Sequence, residues 1–441
     1  MSLFLKPHPV GRMPNATATI VVFLFIIPSM SAAIGEVEDD DGNTLYATGS
    51  QRLTGVYLHY PEGDVFPDGD DGMAASVTRL MLDGDLGEEF TYELNFYTDI
   101  TRMPDAQTGG AFATAGVIKS PYRARYVSWD FWDDGSMDGQ LGLDRLNFTY
   151  RAERISLTAG RQVINYSVTQ IFTPNDFFAP FSATAINKIY KPGVDGVSMS
   201  ITAGELATID ITGVMGSDPD DVPDWDYSAF LVRGSTIVEN YEWAIMSGKL
   251  ARRWIAGTSL QGEAGPLNVR FEGHVGAPDI DGQDKYDEIS AGTLNDDVHV
   301  RFAAGIDSMF VWQNASVGAE YMFISDGVND AAWYVNRSMQ LFPDDLMMLG
   351  EHYAGVTAGL DAIPILRLQT MGLLNCTDYS GLAALTLIYN ISDEADFVGG
   401  LMAPWGQRPV LDLSFPSPVP VIKSEFGLMP LMTYLETRFY F

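Results

Sequence analysis

Residues 431–441 read Leu-Met-Thr-Tyr-Leu-Glu-Thr-Arg-Phe-Tyr-Phe, and the rest of the chain reads outward from them. In an extended conformation Leu431, Thr433, Leu435, Thr437, Phe439 and Phe441 share one side. Met432, Tyr434, Glu436, Arg438 and Tyr440 share the other. Successive strand side chains point to opposite faces, so this is a strand with one apolar side and one side that carries charge. The same period of two recurs upstream. Phe90, Tyr92, Leu94 and Phe96 oppose Thr91, Glu93, Asn95 and Tyr97; Leu146, Phe148 and Tyr150 oppose Arg145, Asn147, Thr149 and Arg151. Val269, Phe271 and Val275 oppose Arg270, Glu272 and His274, and Val298, Val300, Phe302 and Ile306 oppose His299, Arg301 and Asp307. Helical heptads are scarce. The chain is all-β.

A soluble sandwich alternates too, with its apolar face turned inward. Three features predict a transmembrane antiparallel up-and-down β-barrel instead, with lipid outside and a wet lumen. The runs have the ~9–11 residues that a tilted strand needs to cross a bilayer. Tight turns such as Arg151–Arg154 alternate with long loops at Pro61–Gly72, Asp133–Gln140, Asp218–Asp226 and Asp279–Asp297. Aromatic residues recur near run ends (Trp129, Phe131, Trp132, Trp243, Trp254, Tyr321), where interfacial girdles belong. Nineteen segments qualify as strands, 121–132 among them; 73–83 alternates poorly and 405–429 is proline-rich. Single-chain barrels prefer even counts, so one segment is false and about 18 strands are expected, with 16 as the alternative.

The N-terminus reads as an address. Lys6 and Arg12 precede the apolar run Ile20–Ile27, Pro28 ends it, and Ser31-Ala32-Ala33 offers a cleavage site. Residues 1–33 are expected to be a signal peptide and 34–441 an outer-membrane barrel. The apolar run is too short to cross the membrane as a helix. A formal net charge of −32 excludes nucleic acid as a partner. A single cysteine, Cys376, excludes a disulfide framework and thiolate metal clusters. No cofactor and no metal is expected: the acidic loops lack the spacing of a calcium loop.

An aromatic-rich last strand that ends in Phe441 resembles the C-terminal assembly signal of bacterial outer-membrane barrels, which implies the barrel-assembly machinery as a partner. A second resemblance lies in Ala159–Ser200. Gly160-Arg161-Gln162, then Pro174, Asp176, Phe177 and Pro180, then Gly193, Asp195 and Gly196 are similar to the pattern of Gram-negative porin-like barrels, among them the alginate-export-like ones. That resemblance implies a barrel of about 18 strands and a channel for diffusion or facilitated export in the cell outer membrane, in contact with lipopolysaccharide. Tyr166-Ser167 stands where many relatives have Trp-Gly.

The stretch 162–193 is too long and too apolar for an ordinary exposed loop. With Phe172, Phe177, Phe178 and Phe181 to shelter, it is expected to fold into the lumen as a constriction, with Lys188 and Lys191 near Asp176. The alternative is an extracellular cap. Apolar faces toward lipid leave Arg145, Arg151, Arg154, Arg270, Arg301, Arg367 and Arg438, with Glu93, Glu272, Glu320, Asp307 and Glu436, to line the lumen. Facing rows of opposite charge favour polar or charged solutes. The expected function is a porin for small hydrophilic solutes; a sleeve around another exported protein is the alternative. An outer-membrane hydrolase using His274 or His299 comes last, because no nucleophile or metalloprotease motif accompanies them and the chain does not read as an enzyme.

Overall fold

The computed structural model describes residues 35–40, 42–60, 65, 70–104, 120–185, 189–218, 220–278, 298–338, 348–412 and 419–441. The expected leader, Lys188 and the acidic loop 279–297 lie outside the described residues. Eighteen antiparallel strands form one closed wall. In chain order they are Thr44–His59, Asp70–Leu86, Phe90–Arg102, Met137–Arg151, Ile155–Gln162, Val194–Thr202, Ala207–Val214, Ala229–Val238, Tyr241–Leu250, Arg253–Ala264, Leu267–Pro278, His299–Phe310, Ala315–Ile324, His352–Ile363, Leu366–Asn375, Gly381–Ser392, Ala395–Trp405 and Leu431–Tyr440. Neighbours in sequence pair with one another. The last strand closes the ring on the first, from Ser50 opposite Tyr440 to His59 opposite Leu431. Closure matters because a spanning sheet with a free edge would strand backbone groups in hydrocarbon.

The segment 73–83, which alternates poorly, is a full strand. The false candidate is 121–132. There the chain turns inward at Tyr122 and Arg123, and Ser128–Asp134 then forms a short strand beside Met137–Gly142, above the point where Ile155–Gln162 ends. The expected loop Asp133–Gln140 is therefore the tip of a hairpin. The alternation misled because Tyr122 and Arg123 are buried against protein while Trp129 and Phe131 are exposed.

Burial follows the pattern in inverse. Phe148, Trp243, Ile245, Phe271, Val356 and Leu435 point out of the wall, and Ile245 is 71% exposed. An apolar surface of this extent is stable only against lipid. Trp243 sits near one rim and Trp254, on the next strand, near the other. The turns at one rim are short, as at 239–240 and 265–266; at the other rim all but 251–252 are longer. Among the described residues no helix is long and apolar enough to cross a membrane.

Candidate functional site

The lumen is built by two chain segments that leave the loop rim and pack against the inner wall. The first runs from Gln162 to Val194. Its neck is closed by Arg161 and Asp195, cross-strand partners in a two-pronged ion pair (Nε to Oδ1 2.8 Å, Nη2 to Oδ2 2.6 Å). The same guanidinium donates to the carbonyls of Leu143 and Ala124. Gly160 holds φ +117°, and a Cβ there would lie 2.1 Å from the Leu146 carbonyl oxygen, so only glycine fits the close approach. Gln162 donates to the Gly196 carbonyl (3.2 Å) and accepts from Ser198 (2.6 Å). The Gly-Arg-Gln and Gly-Val-Asp-Gly stretches thus act together as the clasp of one loop.

Beyond the neck the segment lies on the inner wall. The Glu272 carboxylate accepts from the Ser167 hydroxyl (2.6 Å) and from the backbone amides of Val168, Thr169 and Asn175. Glu320 accepts from the amides of Gln170, Ile171 and Phe172 at 2.7–3.0 Å. Phe172 is wholly buried against Tyr353. Phe177 and Phe178 pack with Tyr122, Leu231, Met246 and Ile255 in a second apolar cluster. The Asp176 carboxylate pairs with the Lys191 ammonium. Burial pushes Asp176 up and Lys191 down, and each charge pulls the other back. On the return limb, Tyr190 lies between two guanidinium groups, Arg79 (4.1 Å from the ring centre) and Arg145 (4.9 Å).

The second segment, 422–430, docks from the opposite side, with Phe426 and Met429 in the same apolar cluster as Ile171 and Phe172. The Glu425 carboxylate accepts from the Tyr353 hydroxyl, the Asn375 side chain (2.7 Å) and the Leu349 amide. The Glu425 amide donates to Asp378 (2.7 Å), which also accepts from the Tyr334 hydroxyl. Burial, with Asp378 nearby, pushes the Glu425 carboxyl up to about 7.

Guanidinium groups gather along one side of the lumen. Arg438, Arg52 and Arg79 come from three adjacent strands, with Arg52 directly opposite Arg438. All three are at least nine-tenths buried. Arg438 is held by Glu436, whose other oxygen accepts from Thr54 (2.8 Å). Arg79 reaches Asp144, which also pairs with Arg123 (3.1 Å). Asp144 sits at a bulge, where Asn95 opposes Arg145 and Phe96 opposes Leu143. The extra residue turns both Asp144 and Arg145 inward, a common use of a bulge. Arg52 is 6% exposed. Among the described residues it has no hydrogen-bond or ion-pair partner; Arg79, Glu436, Arg438 and the Tyr440 hydroxyl lie near it.

Of the residues expected to line the lumen, Arg145, Arg301 and Arg438 face inward and are buried, and Arg301 pairs with Asp326 (2.5 Å). Arg270 pairs with Asp307, Arg367 with Asp361 (2.7 Å), and Glu93 accepts from Asn147 (2.9 Å). Arg151 and Arg154 stand exposed at the short-turn rim. Glu272 and Glu320 face inward, but their oxygens are taken by the first segment rather than offered to solutes. His274 is packed against Phe177, His299 and Asn175. Sequence reasoning missed Arg52, Arg79, Arg123, Asp144 and Glu425. Arg79 lies on the strand whose alternation is masked by Met73, Ala75 and Val77, which are inward yet apolar. The inward parity of Arg52 with Leu58 and Val56 was readable; the bulge at Asp144 was not.

These elements define a closed antiparallel eighteen-strand β-barrel, apolar outside and lined with charge, with its own chain folded into the lumen. Solved structures similar to it include a BenF-like porin from Pseudomonas fluorescens Pf-5 (TM-score 0.53, 8% identity, 90% of this chain and 98% of that one). Acinetobacter baumannii OccAB3 (0.52, 11%, 90% and 99%) and Pseudomonas aeruginosa OccK8, also called OprE (0.51, 10%, 90% and 98%), are similar as well. No family model and no curated protein matches the sequence. None of these three is named as an alginate-export barrel, so that narrower branch of the resemblance rests on the sequence motif alone.

Proposed function

We propose that this protein is an outer-membrane porin through which small hydrophilic solutes diffuse, with a preference for those that carry a carboxylate or another anionic group. The observation that carries this reading is the row Arg438–Arg52–Arg79. Three guanidinium groups from neighbouring strands face the lumen, and among the described residues the middle one has no carboxylate of its own. Like charges set opposite one another are unfavourable; a passing anion relieves them. The acidic rims concentrate cations outside, but a low-dielectric narrowing focuses the field of the charges that line it, so the arginines set the preference there. The segment 163–193 supplies the narrowing. Its packing against the inner wall, with 422–430 beside it, also speaks against a sleeve, whose lumen would have to house a second protein. Phospholipid and lipopolysaccharide cover the outward apolar face, and the strand ending in Phe441 serves the assembly machinery.

Planar-bilayer recording in a salt gradient tests the reading. The expected reversal potential has the sign of anion preference, and Arg52→Gln moves it toward zero. A cation-preferring wild type would overturn the substrate class; a leak with no size or charge discrimination in swelling liposomes would favour the sleeve.

A further inference from the structure

The amides of residues 168–172 follow one another without a β partner, and all five donate to the wall carboxylates Glu272 and Glu320. Irregular backbone at membrane depth needs such partners, because lipid and apolar side chains offer none. Successive amides that converge on an anion are a recurrent way to satisfy both. Glu272 takes two donors on each oxygen, counting Ser167 and Asn175. The two carboxylates flank the strand His299–Phe310, where Glu272 is opposite Ala303 and Glu320 opposite Gly305. Small residues clear a trough between them. A Cβ at Gly305 would lie 2.7 Å from the Glu320 Cγ, and one at Gly355, across from Glu320 on the other side, 2.8 Å from the Ile171 side chain.

We propose that Glu272 and Glu320 are positioning residues that hold the 167–175 limb across the lumen and so set the width of the passage. The proposal rests on the porin reading above. It assigns the two carboxylates to the chain's own amides and not to solute. A carboxamide keeps one acceptor oxygen where a carboxylate has two, and an alanine keeps none.

The test uses the full-length barrel, with retained heat-modifiable gel mobility as the sign of folding. In E272A/E320A, single-channel conductance is expected to rise severalfold, and liposome swelling to admit larger sugars than the wild type does. E272Q/E320Q is expected to fall between. If the alanine pair fails to fold, Gly355→Phe displaces the limb from the trough with both carboxylates intact and should widen the pore in the same way. A conducting wild type whose variants keep its conductance and size limit would overturn the proposal. A wild type that does not conduct would overturn the porin reading instead. Hydrogen exchange at 168–172 would then decide the clamp: protection lost in E272A/E320A supports it, and protection unchanged refutes it.

Discussion

The inward face of a single strand changes character along its length. On Leu431–Tyr440, Met432 and Tyr434 near the loop rim belong to a dry apolar cluster, whereas Glu436 and Arg438, further toward the short-turn rim, form an ion pair. On Thr44–His59, Leu58 and Val56 belong to that apolar cluster, while Arg52, equally buried, lies among the charges of Arg79, Arg438 and Glu436. On Ala395–Trp405, Met402 and Val398 contrast with Asp396, which bonds exposed Asn390 and Tyr440. The loop-side half of the lumen is therefore a protein core made by chain that folds back in. The other half is a charge-paired wall, where Glu436 holds Arg438 and Asp396 bonds Asn390 and Tyr440. Alternation tells inside from outside; what fills the inside depends on chain returning from elsewhere.

Three measurements can break or sharpen this contrast. Phe172→Ala removes a wholly buried ring from the filled half and should cost about 3–5 kcal/mol in urea unfolding from lipid vesicles. A loss below ~1 kcal/mol would show that the region is not packed as a core. The docking of 422–430 should depend on pH. Because the docked Glu425 carboxyl, at about 7, lies above its ordinary value, docking is at full strength below that ordinary value. It weakens as pH climbs through 7, by about 3 kcal/mol at most. Hydrogen exchange over 422–430, corrected for intrinsic rates, should be faster at pH about 8.5 than at pH about 6, and Glu425→Gln should remove the difference. In the charge-paired half, Arg233 bridges Asp210 (3.3 Å) and Glu242 (3.0 Å), and all three side chains are partly exposed. Arg233→Ala should cost under about 1 kcal/mol in the same urea titration. A loss matching that of Phe172→Ala would erase the distinction between the halves.

Much of this was legible in advance. Eighteen of the nineteen candidate segments are barrel strands, because period-two alternation is a local property that each strand displays alone. The clasp residues Gly160, Arg161, Gln162 and Asp195 were visible as a motif, but their pairing across the loop neck was not. Arg79 was hidden because Met73, Ala75 and Val77, inward and apolar, destroy the contrast between faces. Those residues make sense only beside the segments that cover them. Glu272 and Glu320 were visible as inward carboxylates, yet the amides that saturate them come from about a hundred residues or more upstream, a separation at which no local pattern reports.

From the residues alone came the outward apolar wall, the strand period and the anomalous apolar stretch between two strands. Each follows from chemistry within a few neighbouring positions, where side-chain direction is set by backbone geometry. Which carboxylates the chain's own amides occupy, which guanidinium lacks a partner among the described residues and where the lumen is dry were decided by tertiary structure. Each of those facts is a distance between groups remote in sequence, fixed only once the ring has closed and its loops have settled inside.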